Sequence, residues 1–485
     1  MTETLAPAPI VFRGNLKDAS EPLLHAWEHT VGSGHATLAL RADWQRQLAR
    51  CRKELGFRHV RLHGLLNDDM GTLMMENDQL VYSFFNADQI FDFLLSINMK
   101  PFVELSFMPS TLSSGDTIVF HYKGNVTPPR DYAAWGALMA KLAAHWVERY
   151  GIGEIEQWFF EVWNEPNLKA FWTGSQEDYF RLYKTTSESI KGIDPRLKVG
   201  GPATAGNAWI PEFLDYCRKN ALNPDFISTH HYPTDAFGKP GDDTIAQLAA
   251  SSRSVLRDQA QTAKAQSGDR PLYYTEWCTS SNPFDDLHDR PYASAFIIKT
   301  VLECRNLVQG YSYWTFSDIF EENYFSSVPF HGGFGLTTIY GTPKPAFRAY
   351  ELLHRLGSEL IALDGNHPTV DAWLARATGA LQLLVSNHAL PRHPVKTELV
   401  RFELRNAPLI RSATIERIDE ENANARGRWE EMGKPDSLQP AGVEALELAS
   451  QMTKRPHSIQ ISEIMVSLEL WIPPHGVALI TLEID

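Results

Sequence analysis

Cysteine is scarce: the chain has four in 485 residues, Cys51, Cys217, Cys278 and Cys304, with no Cys-x-x-Cys pair and no regular spacing. That excludes a disulfide framework and reads as reduced intracellular thiols. Basic residues are in deficit, 45 Lys and Arg against 59 Asp and Glu, giving a formal net charge of −14. A partner held through its phosphates needs clustered cations, so nucleic acid is excluded as an expected partner. No apolar run approaches a membrane span, and the start, Met1-Thr-Glu-Thr-Leu-Ala-Pro-Ala-Pro9, lacks the basic residues and apolar stretch of a secretory signal. The expectation is a cytoplasmic protein with no membrane partner. Repeats and low-complexity segments are missing too.

What is present is alternation. From about residue 20 to 350, short apolar runs alternate with segments of helical period. The strands expected are Leu23–Glu28, Arg58–His63, Phe102–Phe107, Gln157–Glu165, Leu197–Thr204, Phe226–Tyr232, Leu272–Glu276 and Tyr311–Asp318. Helices are expected over Asp43–Leu55, Ala87–Ile97, Tyr132–Tyr150, Glu177–Ile190, Pro211–Asn220, Thr244–Ala265, Tyr292–Arg305 and Ala346–Leu356, with Asn86 and Asp131 as N-caps. Eight strands each followed by a helix is the pattern of an α/β (β/α)8 barrel, assigned to residues 15–350. Beyond residue 357 the runs Leu381–Asn387, Thr397–Leu404, Ser458–Leu470 and Val477–Ile484 alternate with period two and have no regular helices between them. They predict an accessory antiparallel β-sandwich over residues 357–485, joined by an N-terminal strand within about 5–14, at Ile10–Arg13. A structural prop is favoured over a carbohydrate-binding role for it.

Chemistry in such barrels collects at the C-terminal ends of the strands. The polar residues obey this: His63, Asn164 with Glu165, His230 with Tyr232, Glu276, and Ser317 with Asp318 all fall there. Glu165 ends the run Gln157-Trp-Phe-Phe-Glu-Val-Trp-Asn-Glu165 and Glu276 ends Leu272-Tyr-Tyr-Thr-Glu276. An unpaired buried carboxylate is costly, so two at the ends of aromatic strands call for a reason. Retaining glycoside hydrolysis supplies one: a carboxylic acid protonates the leaving oxygen, and a carboxylate roughly 5 to 5.5 Å away attacks the anomeric carbon. Satisfied core carboxylates are the alternative. His230 and Tyr232 alternate, so they share a face of strand six. His230 and His231 face opposite ways, which argues against a metal site. His63 is either a sugar contact or a core histidine, and Asp68 with Asp69 reads as a solvated loop or a helix cap.

The run Phe159-Phe-Glu-Val-Trp-Asn-Glu-Pro-Asn-Leu-Lys-Ala-Phe-Trp172 closely resembles the signature of glycoside hydrolase family 39. The likeness continues at Arg61–Met70, Lys123–Pro129, Tyr313–Glu322, His331–Leu336, Arg417–Asn424 and Trp429–Met432, and is to the bacterial β-xylosidase branch rather than the iduronidase branch. The resemblance implies Glu165 as general acid/base and Glu276 as nucleophile; no cofactor and no metal are expected. Asn164 is suited to bond the sugar 2-OH, with a turn-stabilising amide as the alternative; the resemblance implies His230 and Tyr232 around sugar and nucleophile, and an acid among Glu321 and Glu322 on distal hydroxyls, the other being surface charge. Phe120 and Trp314 are the expected aromatic walls, with core packing as the alternative. The negative charge on Glu276 would keep Glu165 protonated until the glycosyl ester forms.

One departure stands out. Where the xylosidase branch carries Tyr-Asn-Thr-Ser-Tyr after the nucleophile, this chain has Trp277-Cys-Thr-Ser-Ser281. Ser281 replaces a phenol at the pocket mouth, and Cys278 is an oxidation liability if exposed. The reading is an exo-acting retaining β-xylosidase taking short xylo-oligosaccharides. Alternatives are arabinosidase, β-glucosidase or iduronidase specificity on the same scaffold, or a non-catalytic sugar binder. Oligomeric state is left open.

Overall fold

The computed structural model describes residues 8–234, 243–322, 326–462 and 465–484. Eight parallel strands close into a barrel: Thr30–His35, His59–His63, Lys100–Leu105, Phe159–Val162, Lys198–Thr204, Phe226–His231, Leu272–Trp277 and Gly310–Tyr313, the last pairing with the first. The first strand is not Leu23–Glu28. Leu23 and Trp27 are core residues, and Ala26–Glu28 is a single 3-10 turn. The strand itself, Thr-Val-Gly-Ser-Gly-His, is poor in apolar side chains because its glycines admit two rings. A Cβ on Gly32 would lie 2.4 Å from the Trp314 ring, and one on Gly34 2.9 Å from Phe320.

The helices around the barrel fall where the 3.6-residue period places them, with two differences. Thr244–Ala265 is broken into Thr244–Ala250 and Val255–Ser267. Asn86 is not a cap, since the helix Phe85–Ser96 starts before it and its amide donates to the Met70 carbonyl. Asp131 does cap Tyr132–Tyr150, accepting from the Ala133 N–H. The eighth strand ends at Tyr313, so Ser317 and Asp318 lie beyond it. Ser317 donates to Gln47, and Asp318 is buried against Lys344, 2.6 Å away.

The barrel interior is layered with period two. Phe102, Phe159, Phe226 and Tyr273 form one aromatic layer, with Phe102 and Phe159 stacked at 5.1 Å and the stacked pair His29 and His59 beside them. Two residues further along, the same strands present Arg61, Glu104, Glu161 and Thr275 inward.

The second module is a sandwich of a five-stranded and a seven-stranded sheet. The seven-stranded sheet is covered on both faces: Leu384 and Leu479 pack with the barrel core, whereas Leu383 and Ile480 pack with the other sheet. That explains the near-continuous apolar run of Ala380–Asn387 against the clean alternation of Glu398–Arg405. Ile10–Asn15 joins the smaller sheet, parallel to Glu398–Arg405, an exception to antiparallel pairing. Ser20–Pro22, counted with the barrel in sequence, pairs with Glu359–Ile361 in the larger sheet. Helices Ala425–Glu431 and Pro440–Ala449 interrupt a region expected to have none, the first capped by Asn424. Residues 5–7 of the expected first strand, and Glu463 and Ile464 of the expected strand Ser458–Leu470, lie outside the described residues. Among the described residues no helix is long and apolar enough to cross a membrane.

Candidate active site

At the C-terminal mouth of the barrel a cavity of about 380 Å³ is lined by His63, Asn164, Glu165, Tyr232, Glu276, Trp314 and Glu322, with Leu168, Phe171, Ala205, Ser281, Pro283 and Phe334 toward the rim. The chain leaves strand four through left-handed backbone at Trp163 (φ 73°) and Glu165 (φ 45°). The Glu165 N–H is tied to the Ala203 carbonyl at 2.8 Å, which fixes the turn that aims its carboxyl at the cavity. Glu276 arrives on strand seven. One oxygen each of Glu165 and Glu276 and one ring nitrogen of His230 lie within 4.8 Å of one another.

The two carboxyls have different surroundings. Glu276 Oε1 accepts from Arg61 Nη1 at 2.8 Å, and its Oε2 accepts from the Tyr232 hydroxyl at 3.0 Å. Among the described residues no lysine or arginine pairs with Glu165; its Oε1 lies 2.9 Å from His230 Nδ1. Burial pushes the Glu165 carboxyl up to about 7, opposed by His63 and Arg61 and aided by Glu104. The leading cause is therefore burial and not, as the sequence suggested, the charge of Glu276. The Arg61 guanidinium stands against that charge, so Glu165 meets little of it.

Arg61 is fully buried and organises the floor, donating to Glu161 (2.5 Å), Glu276 and the Asn164 side-chain oxygen (2.9 Å), and pairing with Glu104 at 2.9 Å. Because the Asn164 oxygen is taken, its NH2 is left to face the cavity as a donor. His63 Nδ1 lies 2.6 Å from Glu104, which raises the imidazole to about 9 against the opposing effect of burial. Its Nε2 stands 3.5 Å from Glu276 and 3.4 Å from Glu322. Glu322 is pushed up to about 8, by burial first and then by the other carboxylates, and its Oε1 is buried without a hydrogen bond at the cavity wall.

A family model described as glycosyl hydrolases family 39 matches residues 14–462. The chain belongs to that family. It is 48% identical over 463 residues, 94% of this chain and 95% of the other, to a β-xylosidase of Caldicellulosiruptor saccharolyticus. It is 36% identical over 477 residues, 94% of this chain and 92% of the other, to a β-xylosidase of Geobacillus stearothermophilus. The solved structure of a monomeric β-xylosidase from Caulobacter crescentus superposes with a TM-score of 0.86 at 33% identity, covering 98% of this chain and 99% of that one.

For this family 39 glycoside hydrolase, the structure gathers His63, Asn164, Glu165, Tyr232, Glu276, Trp314 and Glu322 on one cavity. His230 sits behind the two carboxyls, fully buried, with Nδ1 2.9 Å from Glu165 Oε1 and 3.5 Å from Glu276 Oε2. Two expected contacts fall outside the lining. Phe120 packs against Phe107, Tyr122 and Phe171, and Phe171 takes the wall position instead. Glu321 is neither a cavity acid nor free surface charge: its Oε1 is bound to His35 at 2.9 Å. Asp69 joins the same histidine at 3.3 Å, so it too is more than a solvated loop residue. His231 faces away from the barrel axis, stacked on Tyr274 and bonded to the Tyr311 hydroxyl.

Cys278 is buried, 3.6 Å from His288, so the exposure that would make it an oxidation liability is missing. Glu165, His230 and Glu276 form a donor set of metal-binding dimensions, yet its members are engaged with Arg61, Tyr232, Thr275 and one another. Sequence reasoning did not single out Arg61, Glu104, Glu161, Thr275 or Phe171. The first four carried a signal: each is a polar residue inside an apolar strand. Arg61 lies two before His63 on the same strand, with the same inward parity.

Proposed function

We propose that the protein is a retaining exo-β-1,4-xylosidase of the cytoplasm that releases D-xylose from the non-reducing end of short xylo-oligosaccharides. The observation that carries the reaction class is the pair Glu165 and Glu276, oxygen to oxygen within 4.8 Å across one cavity, one held by a guanidinium and the other pushed up by burial. That spacing suits direct attack and leaves no room for the water an inverting enzyme places between its carboxyls. Arg61 and Tyr232 orient the Glu276 carboxylate, which attacks the anomeric carbon as Glu165 gives its proton to the leaving oxygen. The glycosyl ester that forms cancels the Glu276 charge. Glu165, now ionised, takes a proton from water as the water oxygen attacks the same carbon, and the Glu276 carboxylate leaves. The Asn164 NH2 is placed to donate to the 2-OH, a bond that strengthens as positive charge grows on the ring.

The names of the two similar relatives support xylose as the sugar. The lining agrees: among the described residues no lysine or arginine lines the cavity to pair with a substrate carboxylate, and the His63 imidazole there is already bound to Glu104. The test is kcat/KM on aryl β-D-xyloside, α-L-arabinoside, β-D-glucoside and α-L-iduronide. The expected outcome is a preference for the xyloside of about tenfold or more, about 1.4 kcal/mol in the transition state. A stronger preference for another member would replace the sugar assignment. Xylobiose bound in a calorimeter and never cleaved would replace the enzyme reading itself.

A further inference from the structure

Thr275, the residue before Glu276, has its hydroxyl between two partners: Oγ1 lies 2.7 Å from Glu161 Oε1 and 3.1 Å from His230 Nε2. A hydroxyl has one proton to give. Glu161 takes it, because its other oxygen is paired with Arg61 at 2.5 Å and an ionised carboxylate only accepts. The Thr275 oxygen therefore turns a lone pair toward His230, and the contact is favourable only if Nε2 carries hydrogen. Burial pushes the His230 imidazole down to about 4, so near neutral pH the ring holds a single proton. With that proton on Nε2, Nδ1 is bare. Nδ1 lies 2.9 Å from Glu165 Oε1, a hydrogen bond that needs the hydrogen to come from Glu165.

We infer that Thr275 is a positioning residue which fixes the Nε2–H tautomer of His230 and, through it, keeps the proton on Glu165 in the resting enzyme. The inference rests on the reading of Glu165 as acid/base. The other groups facing Glu165 and His230 are Arg61 and His63 from strand two, Glu104 from strand three, Glu161 from strand four, Glu276 from strand seven and Glu322 beyond strand eight. Glu276 Oε2, 3.5 Å from Nδ1, is an acceptor as well, and the Tyr232 hydroxyl is given to Glu276. No hydrogen bond to Nδ1 from these groups supplies a donor. Once Glu165 has protonated the leaving group, its new charge faces the bare Nδ1 lone pair. That opposition makes it a stronger base toward the incoming water, so one fixed tautomer serves both steps.

The test uses the full chain carrying Thr275→Val and, separately, Thr275→Ser. Without the hydroxyl the ring is free to place hydrogen on Nδ1 and donate to ionised Glu165. On xylobiose, whose leaving group needs the proton, the high-pH limb of kcat/KM should move down by about one pH unit in Thr275→Val, the worth of one such bond. The low-pH limb should stay, a dinitrophenyl xyloside should show little change, and Thr275→Ser should restore the limb. A limb that stays in place in folded Thr275→Val overturns the proposal. Nitrogen-15 NMR of labelled histidine in the unsubstituted enzyme, assigned by loss of the signal in His230→Gln, reads the tautomer without turnover. Protonated Nε2 with bare Nδ1 is expected, and hydrogen on Nδ1 overturns the proposal even if Thr275→Val does not fold. Equal losses on both substrates in Glu165→Ala would sink the acid/base reading instead, leaving the tautomer result standing.

Discussion

Phe102 and Glu104, Phe159 and Glu161, Tyr273 and Thr275, His59 and Arg61 are pairs two residues apart on the same strands, one member in the aromatic layer and the other in the charged layer above it. The rings need nothing from one another but contact, and any well-packed set of similar volume would serve. The charges are bound by directed partners: Arg61 meets three carboxylates and the Asn164 oxygen, and none of these can move alone. Histidine shows the difference most directly. His59, among rings, is pushed down to about 4 by burial, while His63, two layers up at the cavity, is raised to about 9 beside Glu104. Burial acts on both, and only the second has a fixed anion to reverse it.

If the charged layer carries the chemistry, Glu276→Ala should lower turnover by on the order of 10⁴-fold or more. Activity surviving close to the unsubstituted level, with no added nucleophile, would erase the distinction between the layers. Glu165→Ala should cost about 10²- to 10⁴-fold on xylobiose and far less on an activated aryl xyloside, because only the former needs the proton. In the unsubstituted enzyme the same group sets a pH dependence: raised to about 7, Glu165 is protonated below that pH. Cleavage of poor leaving groups should therefore decline as pH rises through about 7, which a kcat/KM profile reads directly. Phe159→Ala should have the smallest effect on activity and a large one on stability, about 3–5 kcal/mol by denaturant titration, with kcat/KM of the folded protein within about tenfold. A collapse of kcat/KM there would mean that the aromatic layer holds the charged one in place.

The architecture was legible because period two and period 3.6 alternate through most of the barrel, and the catalytic candidates fall at the C-terminal end of a strand or in the turn that leaves it. Strand one was hidden by its own function: Gly32 and Gly34 make it resemble a loop, and the reason for them is the Trp314 and Phe320 rings, nearly 300 residues away in sequence. The carboxylate pair, Asn164, Tyr232 and Trp314 could be placed from motif and position. Arg61 and Glu104 were harder to see because a charge within a strand gains its meaning from partners on other strands. Phe120 was misplaced for a related reason: two aromatics, Phe120 and Phe171, compete for one wall, and only packing decides between them.

The pairing of Ile10–Asn15 with Glu398–Arg405 sets a timetable for biosynthesis. On a ribosome adding about 5–20 residues per second, this first strand emerges roughly 20–80 s before the partner it will lie beside. Its hydrogen-bonding edge is unclaimed through that interval, while the whole barrel sequence is being made behind it. The smaller sheet is thus built from segments nearly 400 residues apart in the chain rather than from neighbours. A nascent chain stalled before residue 398 holds a barrel sequence whose early strand has only the short Leu363–Asp364 segment to pair with.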